Sequence, residues 1–423
     1  MEISNLIPVF IILFACLLLN IPIYVSLLAC AIYMAVFLNH MPMQNIVSGM
    51  FEGVTKTSLL AIPFFILAGS ALSGGTLGER LVGIFRSFSS GRTAGLALSA
   101  LGANAVFGAI SGSPPAATAT FGKILYNPLK EEYDANVSTG VIVCGASLSS
   151  IIPPSTPLII YGIVAETSIV KLFMGGLVPG LIIVAIIAVY LIIVTRKYKT
   201  KSKKLTRKEQ LKGLRRGIPV MLLPVIVLGG IYGGLVTPTE AGALAAVYAI
   251  LVSIFVLKEL TLKNLYAVLK DAAITSGQVM ILVSASSVFA QQLMITQVPV
   301  SLTKVFMTLS PIMFLLLVNV LFLILGCFID SISAILIFIP LLLPAAVSFG
   351  ISPVHFGVAV VVNLSLGMFT PPFGLNLFVA QGVFGRNIWA ISRSVIPYVF
   401  LYLIGLFLTT YIPAISMTLP NIL

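Results

Sequence analysis

The chain has 423 residues, of which 59% are hydrophobic and 9% charged, with a formal net charge of +12. Soluble domains carry about 25% charged residues, so this composition excludes an ordinary soluble enzyme, a disordered chain and a nucleic-acid-binding protein. It indicates an all-α polytopic membrane protein, because backbone polar groups inside a bilayer must be satisfied within helices.

Two apolar segments, 5–20 and 22–38, open the chain and are separated at Asn20-Ile21-Pro22. The N-terminus has Glu2 and no basic n-region, so the first segment is expected to be a retained span. Residues 46–72 are expected to form a third span, followed by an amphipathic stretch, 75–92. Apolar residues 93–110 and 116–128 flank Ser111-Gly112-Ser113-Pro114-Pro115. The run 136–165 is broken at Pro153-Pro154, and 169–195 is a long span. A basic loop, 196–217, holds 11 of the 24 Lys and Arg residues.

Spans 218–235 and 238–257 begin the second half. An amphipathic stretch, 258–271, precedes span 273–294. Residues 312–329 and 334–349 flank Asp330-Ser331-Ile332-Ser333. The run 353–383 is broken at Pro371-Pro372, and 388–416 is the last span.

The halves match at a constant offset of 218: Gly108 with Gly326, Ser113 with Ser331, Pro153-Pro154 with Pro371-Pro372, Pro179 with Pro397. This points to two repeats, 1–195 and 218–423. If 93–128 and 312–349 are re-entrant hairpins, each half has five full spans and the repeats are inverted. With both termini outside, 21 of the 24 basic residues fall inside. Only Lys56, Lys171 and Lys304 fall outside, as the positive-inside bias requires. Loop 196–217 is then cytoplasmic.

Non-helical backbone at membrane depth is tolerated only inside protein or along a cavity. Two hairpin tips and two Pro-Pro interruptions are the pattern of a secondary transporter with its site near the midplane. Proline at the first turn of a helix loses no hydrogen bond, so Pro114-Pro115, Pro153-Pro154 and Pro371-Pro372 are expected to open the second helix at each break. Free N–H groups there favour an anion. Carbonyls around Gly145–Ile151 and Leu364–Phe369 suit a cation such as Na⁺, one site per repeat.

Asp330, at a hairpin tip, is a functional candidate by default, with a helix N-cap as the lesser alternative. Glu240, in Thr237-Pro238-Thr239-Glu240-Ala241, is expected to be a first-turn acid. Ser111, Ser113, Ser155, Thr156, Ser331, Ser333 and Thr370 cluster at the breaks, and Asn363 and Asn376 flank the second Pro-Pro. Cys16, Cys30, Cys144 and Cys327 lie in apolar runs without metal spacing, and His40 and His355 sit beside Pro in apparent loops. No His-Asp or paired-Asp constellation supports an intramembrane enzyme.

Ser111 through Pro115, Ile152-Pro153-Pro154-Ser155 with Tyr161-Gly162, Thr237 through Ala241, and above all Thr370-Pro371-Pro372-Phe373-Gly374-Leu375-Asn376 resemble the large membrane subunit of TRAP (tripartite ATP-independent periplasmic) transporters. The resemblance runs over essentially the whole chain. It implies an elevator-type, Na⁺-driven importer of an organic acid such as a sialic acid or C4-dicarboxylate in the bacterial inner membrane. The implied partners are a small four-helix membrane subunit and a periplasmic substrate-binding protein. By the same resemblance, substrate contacts fall on Ser111, Ser155 and Asp330; Asn376, from its place beside the second Pro-Pro, is able to orient substrate or to bond across helices. One Na⁺ site falls near Ser113, Gly145, Ser149 and Ile152, the other near Asp330, Gly367, Thr370 and Pro372. A stand-alone symporter of the same superfamily is the alternative.

Overall fold

The computed structural model describes residues 7–19, 21–73, 76–199 and 204–422. Among these, the regular structure is entirely helical. The first group of helices is α1 (Ile7–Leu18), α2 (Ile23–Tyr33), α3 (Met43–Val54), α4 (Ala61–Ser73) and α5 (Leu77–Ser89). Then come α6 (Gly95–Ser111), α7 (Pro114–Glu132), α8 (Ala135–Ser147), α9 (Thr156–Val164) and α10 (Ile169–Thr195). The second half holds α11 (Arg207–Tyr232), α12 (Pro238–Leu251), α13 (Leu262–Ile295) and α14 (Val298–Phe306). It ends with α15 (Pro311–Phe328), α16 (Ser331–Ser348), α17 (Pro353–Gly367), α18 (Leu375–Phe384), α19 (Ile388–Tyr411) and α20 (Pro413–Met417).

By length and composition, seven of the described helices are able to cross a membrane, or eight if the bent pair α3–α4 counts as one span. That pair corrects the expectation of a single span at 46–72: the chain turns by 58° there. Residues 258–271 are no separate surface segment either. With no Pro, and its one glycine at Gly277, the helix starting at Leu262 runs unbroken for 34 residues.

Local chemistry sets the helix starts. Thr206 and Thr237 each form a capping box, their hydroxyls accepting from Glu209 N–H and Glu240 N–H while those carboxylates accept from the threonine N–H. Glu240 is therefore a helix-capping residue, as its position in the sequence indicates. Ser113, Asp134, Ser155, Ser168, Ser310 and Asp330 cap their helices through side-chain oxygens.

The helices sort into two groups by packing. In one, α4 packs on α12 and α13, and α13 packs on α2 and α3. In the other, α6, α7 and α8 pack on one another, α15 and α19 pack on α17, and α18 packs on α7. Helix α5 touches both groups, lying against α11 and α6. The second group is the more enclosed: α8 and α17 are buried along almost their entire lengths. Helix α17 also takes in His355, which lies buried against Ser416 and not in a loop.

Candidate functional site

Each hairpin turns over at its tip with little irregular backbone. Helix α6 closes on Gly112, whose left-handed conformation (φ +59°) lets its N–H reach Gly108 O at 2.8 Å. Ser113 then caps α7, accepting from Ala116 N–H at 3.4 Å, with Pro114 in the first turn. In the second hairpin Ile329 is extended, and Asp330 caps α16. Its carboxylate accepts from Ser333 N–H at 3.1 Å and from the Ser333 hydroxyl at 2.5 Å.

The two interrupted helices also share a plan. After α8 a short 3-10 turn, Leu148–Ser150, leads into an irregular stretch containing a cis Pro153-Pro154 bond. Helix α9 then starts at Thr156. Its cap, Ser155, accepts from Leu158 N–H at 3.4 Å and donates to Ser150 O. After α17 the chain turns through a cis Pro371-Pro372 bond, and α18 starts at Leu375. The Pro153-Pro154 and Pro371-Pro372 pairs thus sit within the breaks and, contrary to the expectation from sequence, do not open α9 and α18. Pro157 takes the first-turn position of α9, and Gly374 precedes α18. Pro114-Pro115 does open α7.

Each hairpin presses a glycine against a break. A Cβ added to Gly108 would lie 2.4 Å from Ser149 Cα, and one added to Gly326 would lie 3.1 Å from Gly367 Cα. The breaks also touch each other. Ser365 donates to Ser147 O at 2.5 Å, and Asn376 Nδ2 donates to the Ser147 hydroxyl at 2.9 Å. Ser147 and Ser365 are themselves 218 residues apart.

A cavity of about 390 Å³ opens between these elements and the other helix group. Its wall comprises Ser111–Ala116 of the first tip, Asp330–Ile332 of the second, Ser150, Thr156 and Pro157 of the first break, and Met368 and Leu375 of the second. Helices α4 and α13 close it with Gly69, Ser70 and Thr275 among others. Asp330 is the one ionisable side chain in this wall among the described residues.

Of the residues singled out from sequence, the cavity brings together Ser111, Ser113, Thr156, Asp330 and Ser331. Ser155 and Asn376 are fully buried behind the wall, bonded to Ser150 O and Ser147 respectively. Ser149 is buried against Gly108, and Gly145 sits against Asn104. Ile152 is 8% exposed and packs on α10 at Gly180. Gly367 lies against Gly326, and the Thr370 hydroxyl donates to Leu366 O at 2.8 Å. Pro372 is exposed.

Sequence reasoning passed over Ser150 and Asn104. The Ser150 and Ser331 hydroxyls are buried in the cavity wall without a hydrogen-bond partner, and Asn104 Oδ1, Asn363 Oδ1 and Asn376 Oδ1 are also unpartnered. Buried polar atoms rarely stay unpaired, and of these the Ser150 and Ser331 hydroxyls line the cavity, open to a polar ligand. A polar residue within an apolar hairpin helix was the available signal for Asn104.

A sequence model described as "Tripartite ATP-independent periplasmic transporter, DctM component" matches residues 10–415. The isethionate TRAP transporter permease protein DctMQ of Oleidesulfovibrio alaskensis is 38% identical over 95% of this chain, which spans 64% of that protein's length. The C4-dicarboxylate TRAP transporter large permease protein DctM of Pseudomonas aeruginosa is 38% identical, covering 88% of each chain. In fold, the chain is similar to the YdaH transporter of Alcanivorax borkumensis, with a TM-score of 0.60 and 16% identity over 89% of this chain and 88% of that one. The chain is thus a multi-pass membrane transport protein and not an enzyme. It belongs to the DctM-component family of tripartite ATP-independent periplasmic transporters.

Proposed function

We propose that this chain is the permease subunit of a Na⁺-coupled importer of an organic acid, fed by a periplasmic binding protein and assembled with a small four-helix membrane subunit. The carrying observation is the single cavity onto which both hairpin tips and both helix breaks converge. Three capped helix N-termini, those of α7, α9 and α16, border it. Pro114 and Pro115 have no N–H and Ser113 takes that of Ala116, so the groups that favour a carboxylate are Thr156 N–H at the start of α9 and Ser331 and Ile332 N–H at the start of α16.

The wall holds an acid, Asp330, and no Lys or Arg among the described residues. A carboxylate substrate entering it needs positive charge from elsewhere, and Na⁺ bound at the breaks supplies it. The proposed ligands are carbonyls near Gly145, Ser149 and Ile152 with Ser113, and near Gly367, Thr370 and Pro372 with Asp330. The orphan oxygen of Asn104, which lies against Gly145, favours a cation at the first of these places. Ser111, Ser150 and Ser331 are the proposed substrate donors.

The division of packing into two groups supports an elevator movement. The α6–α10 and α15–α19 group carries the site, and the group around α4, α12 and α13 provides the face it slides against. We place the basic loop in the cytoplasm and both termini in the periplasm, from the distribution of Lys and Arg. The test is uptake by proteoliposomes containing this chain and its small subunit. C4-dicarboxylate, sialic acid and isethionate are offered with and without binding protein and an inward Na⁺ gradient. Uptake requiring both additions supports the proposal. Na⁺-driven uptake without binding protein assigns a stand-alone symporter instead.

A further inference from the structure

We propose that the cleft between α5 and the basic end of α11 binds a phosphodiester anion, supplied by the headgroup of an anionic phospholipid. The two helices meet in a close contact that the sequence builds with glycine. A Cβ on Gly217 would lie 2.2 Å from the Ile84 side chain, and one on Gly213 would lie 3.0 Å from Gly83 O and 2.7 Å from Ser87 Oγ. The Ser87 hydroxyl lies 3.1 Å from Gln210 O on α11 and 2.8 Å from Gly83 O on its own helix, and shares its proton between them. Beside this contact lies a cleft of about 640 Å³, whose charged lining is Arg80, Arg86, Lys212 and Arg216 with Glu79 and Glu209.

The balance of these charges favours an anion. Glu209 is committed to Thr206, accepting from its N–H and its hydroxyl, each at 2.8 Å. Arg80 is held in place by the Thr76 hydroxyl at 2.8 Å, Arg216 O at 3.3 Å and Glu259 at 3.6 Å. Lys212 and Arg216 are one helical turn apart, so their like charges repel until an anion sits between them. Gly83, in the cleft wall, has open space where a Cβ would be. Basic pockets between membrane helices suit lipid headgroups.

The flanks choose between a lipid and a soluble phosphate. Phe88 on α5 is 66% exposed, and Leu211 and Ile218 on α11 are 67% and 52% exposed. A soluble anion has no use for these apolar side chains, whereas acyl chains below a bound headgroup cover them. Helix α5 is one of the links between the two packing groups, alongside the contact of α4 with α6, so a lipid held here sits on one of their connections.

The test uses the full chain in the complex in which it is purified, stripped of lipid in detergent. Phosphatidylglycerol, phosphatidylcholine or inorganic phosphate is then added. Bound lipid is read by native mass spectrometry and stability by the melting temperature. We expect phosphatidylglycerol to be retained and to raise Tm, with phosphatidylcholine doing neither. The Lys212→Gln/Arg216→Gln variant should retain at least roughly tenfold less phosphatidylglycerol. The Arg207→Gln/Lys208→Gln variant, altered at exposed positions outside the cleft, should retain it as the native chain does. Equal retention of both lipids, undiminished retention by the Lys212/Arg216 variant, or equal loss in both variants would overturn the proposal. The same Tm rise from inorganic phosphate alone would overturn the lipid assignment.

Discussion

The contacts between hairpins and breaks allow a ranked test with three glycines. An added Cβ at Gly108 would stand 2.4 Å from Ser149 Cα, at Gly367 2.6 Å from Gly326 Cα, and at Gly326 3.1 Å from Gly367 Cα, where ordinary contact begins at 3.4 Å. The neighbour in each case is backbone, so a helix has to move, by about 1.0, 0.8 and 0.3 Å respectively. Overpacking of this kind costs about 1–3 kcal/mol, against a gain of roughly 1 kcal/mol from replacing glycine by alanine within a helix. Gly326→Ala should therefore be close to neutral, and Gly108→Ala destabilising by about 1–2 kcal/mol. The displacement matters more for transport, because a shift of about 1 Å at a binding constellation can cost a hundredfold. Uptake should fall in the order Gly108→Ala, then Gly367→Ala, then Gly326→Ala, at matched membrane expression. Gly382→Ala, with no atom within 4 Å of the new Cβ, is the control and should transport normally. Equal uptake by Gly108→Ala and Gly382→Ala would refute the reasoning that the hairpin–break contact positions the site.

Asp330→Asn keeps a capping side chain but removes the charge from the cavity, so it should insert and fold normally while uptake drops. Asp330→Ala should in addition lose about 1 kcal/mol of stability through the lost cap, seen as a lower Tm. Ser150→Ala and Ser331→Ala each delete a hydroxyl that has no partner. They should leave Tm unchanged or raised, yet weaken half-saturation for substrate; a lowered Tm with unchanged uptake would contradict their assignment to the site. Thr237→Ala should cost about 1 kcal/mol by removing a cap, without changing Na⁺ dependence. Asp134 provides a pH test. Burial alone would raise its carboxyl, but hydrogen bonds from the Tyr198 hydroxyl and the N–H groups of Val137 and Asn136, with Lys197 nearby, hold it below its ordinary value. A depressed folded value contributes stability that is present above the ordinary carboxylate range and is lost as pH falls through the folded value. Tm of the native chain should therefore fall below about pH 4, and Asp134→Asn should flatten that limb.

What the sequence made legible follows from where backbone is interrupted. Pro, Gly and Ser within otherwise apolar runs located both tips and both breaks, because each residue type removes or redirects a helical hydrogen bond. The Thr237–Glu240 cap was legible for the same local reason. The bend at Thr55 was not, since no proline marks it and the turn depends on packing against α12 and α13. Continuity of α13 through Asp271 was obscured because charge there suggested a boundary, though nothing in the backbone imposes one. The interior position of the cis Pro-Pro pairs depends on the chain on both sides of each break. Asp330 was recognisable as an acid between two apolar runs, and it both caps α16 and lines the cavity. Ser150 could not be told from its neighbours Ser147 and Ser149 until the fold placed it in the wall and them behind it.

The most direct test of the account is counterflow-free uptake of a labelled organic acid into proteoliposomes of this chain with its small subunit, binding protein outside, as the Na⁺ gradient is varied. The account requires uptake that appears only with an inward Na⁺ gradient and binding protein together, and that is lost in Asp330→Asn. Uptake that is indifferent to Na⁺, or that persists in a well-folded Asp330→Asn variant, would contradict a cation-assisted carboxylate site between the two hairpin tips.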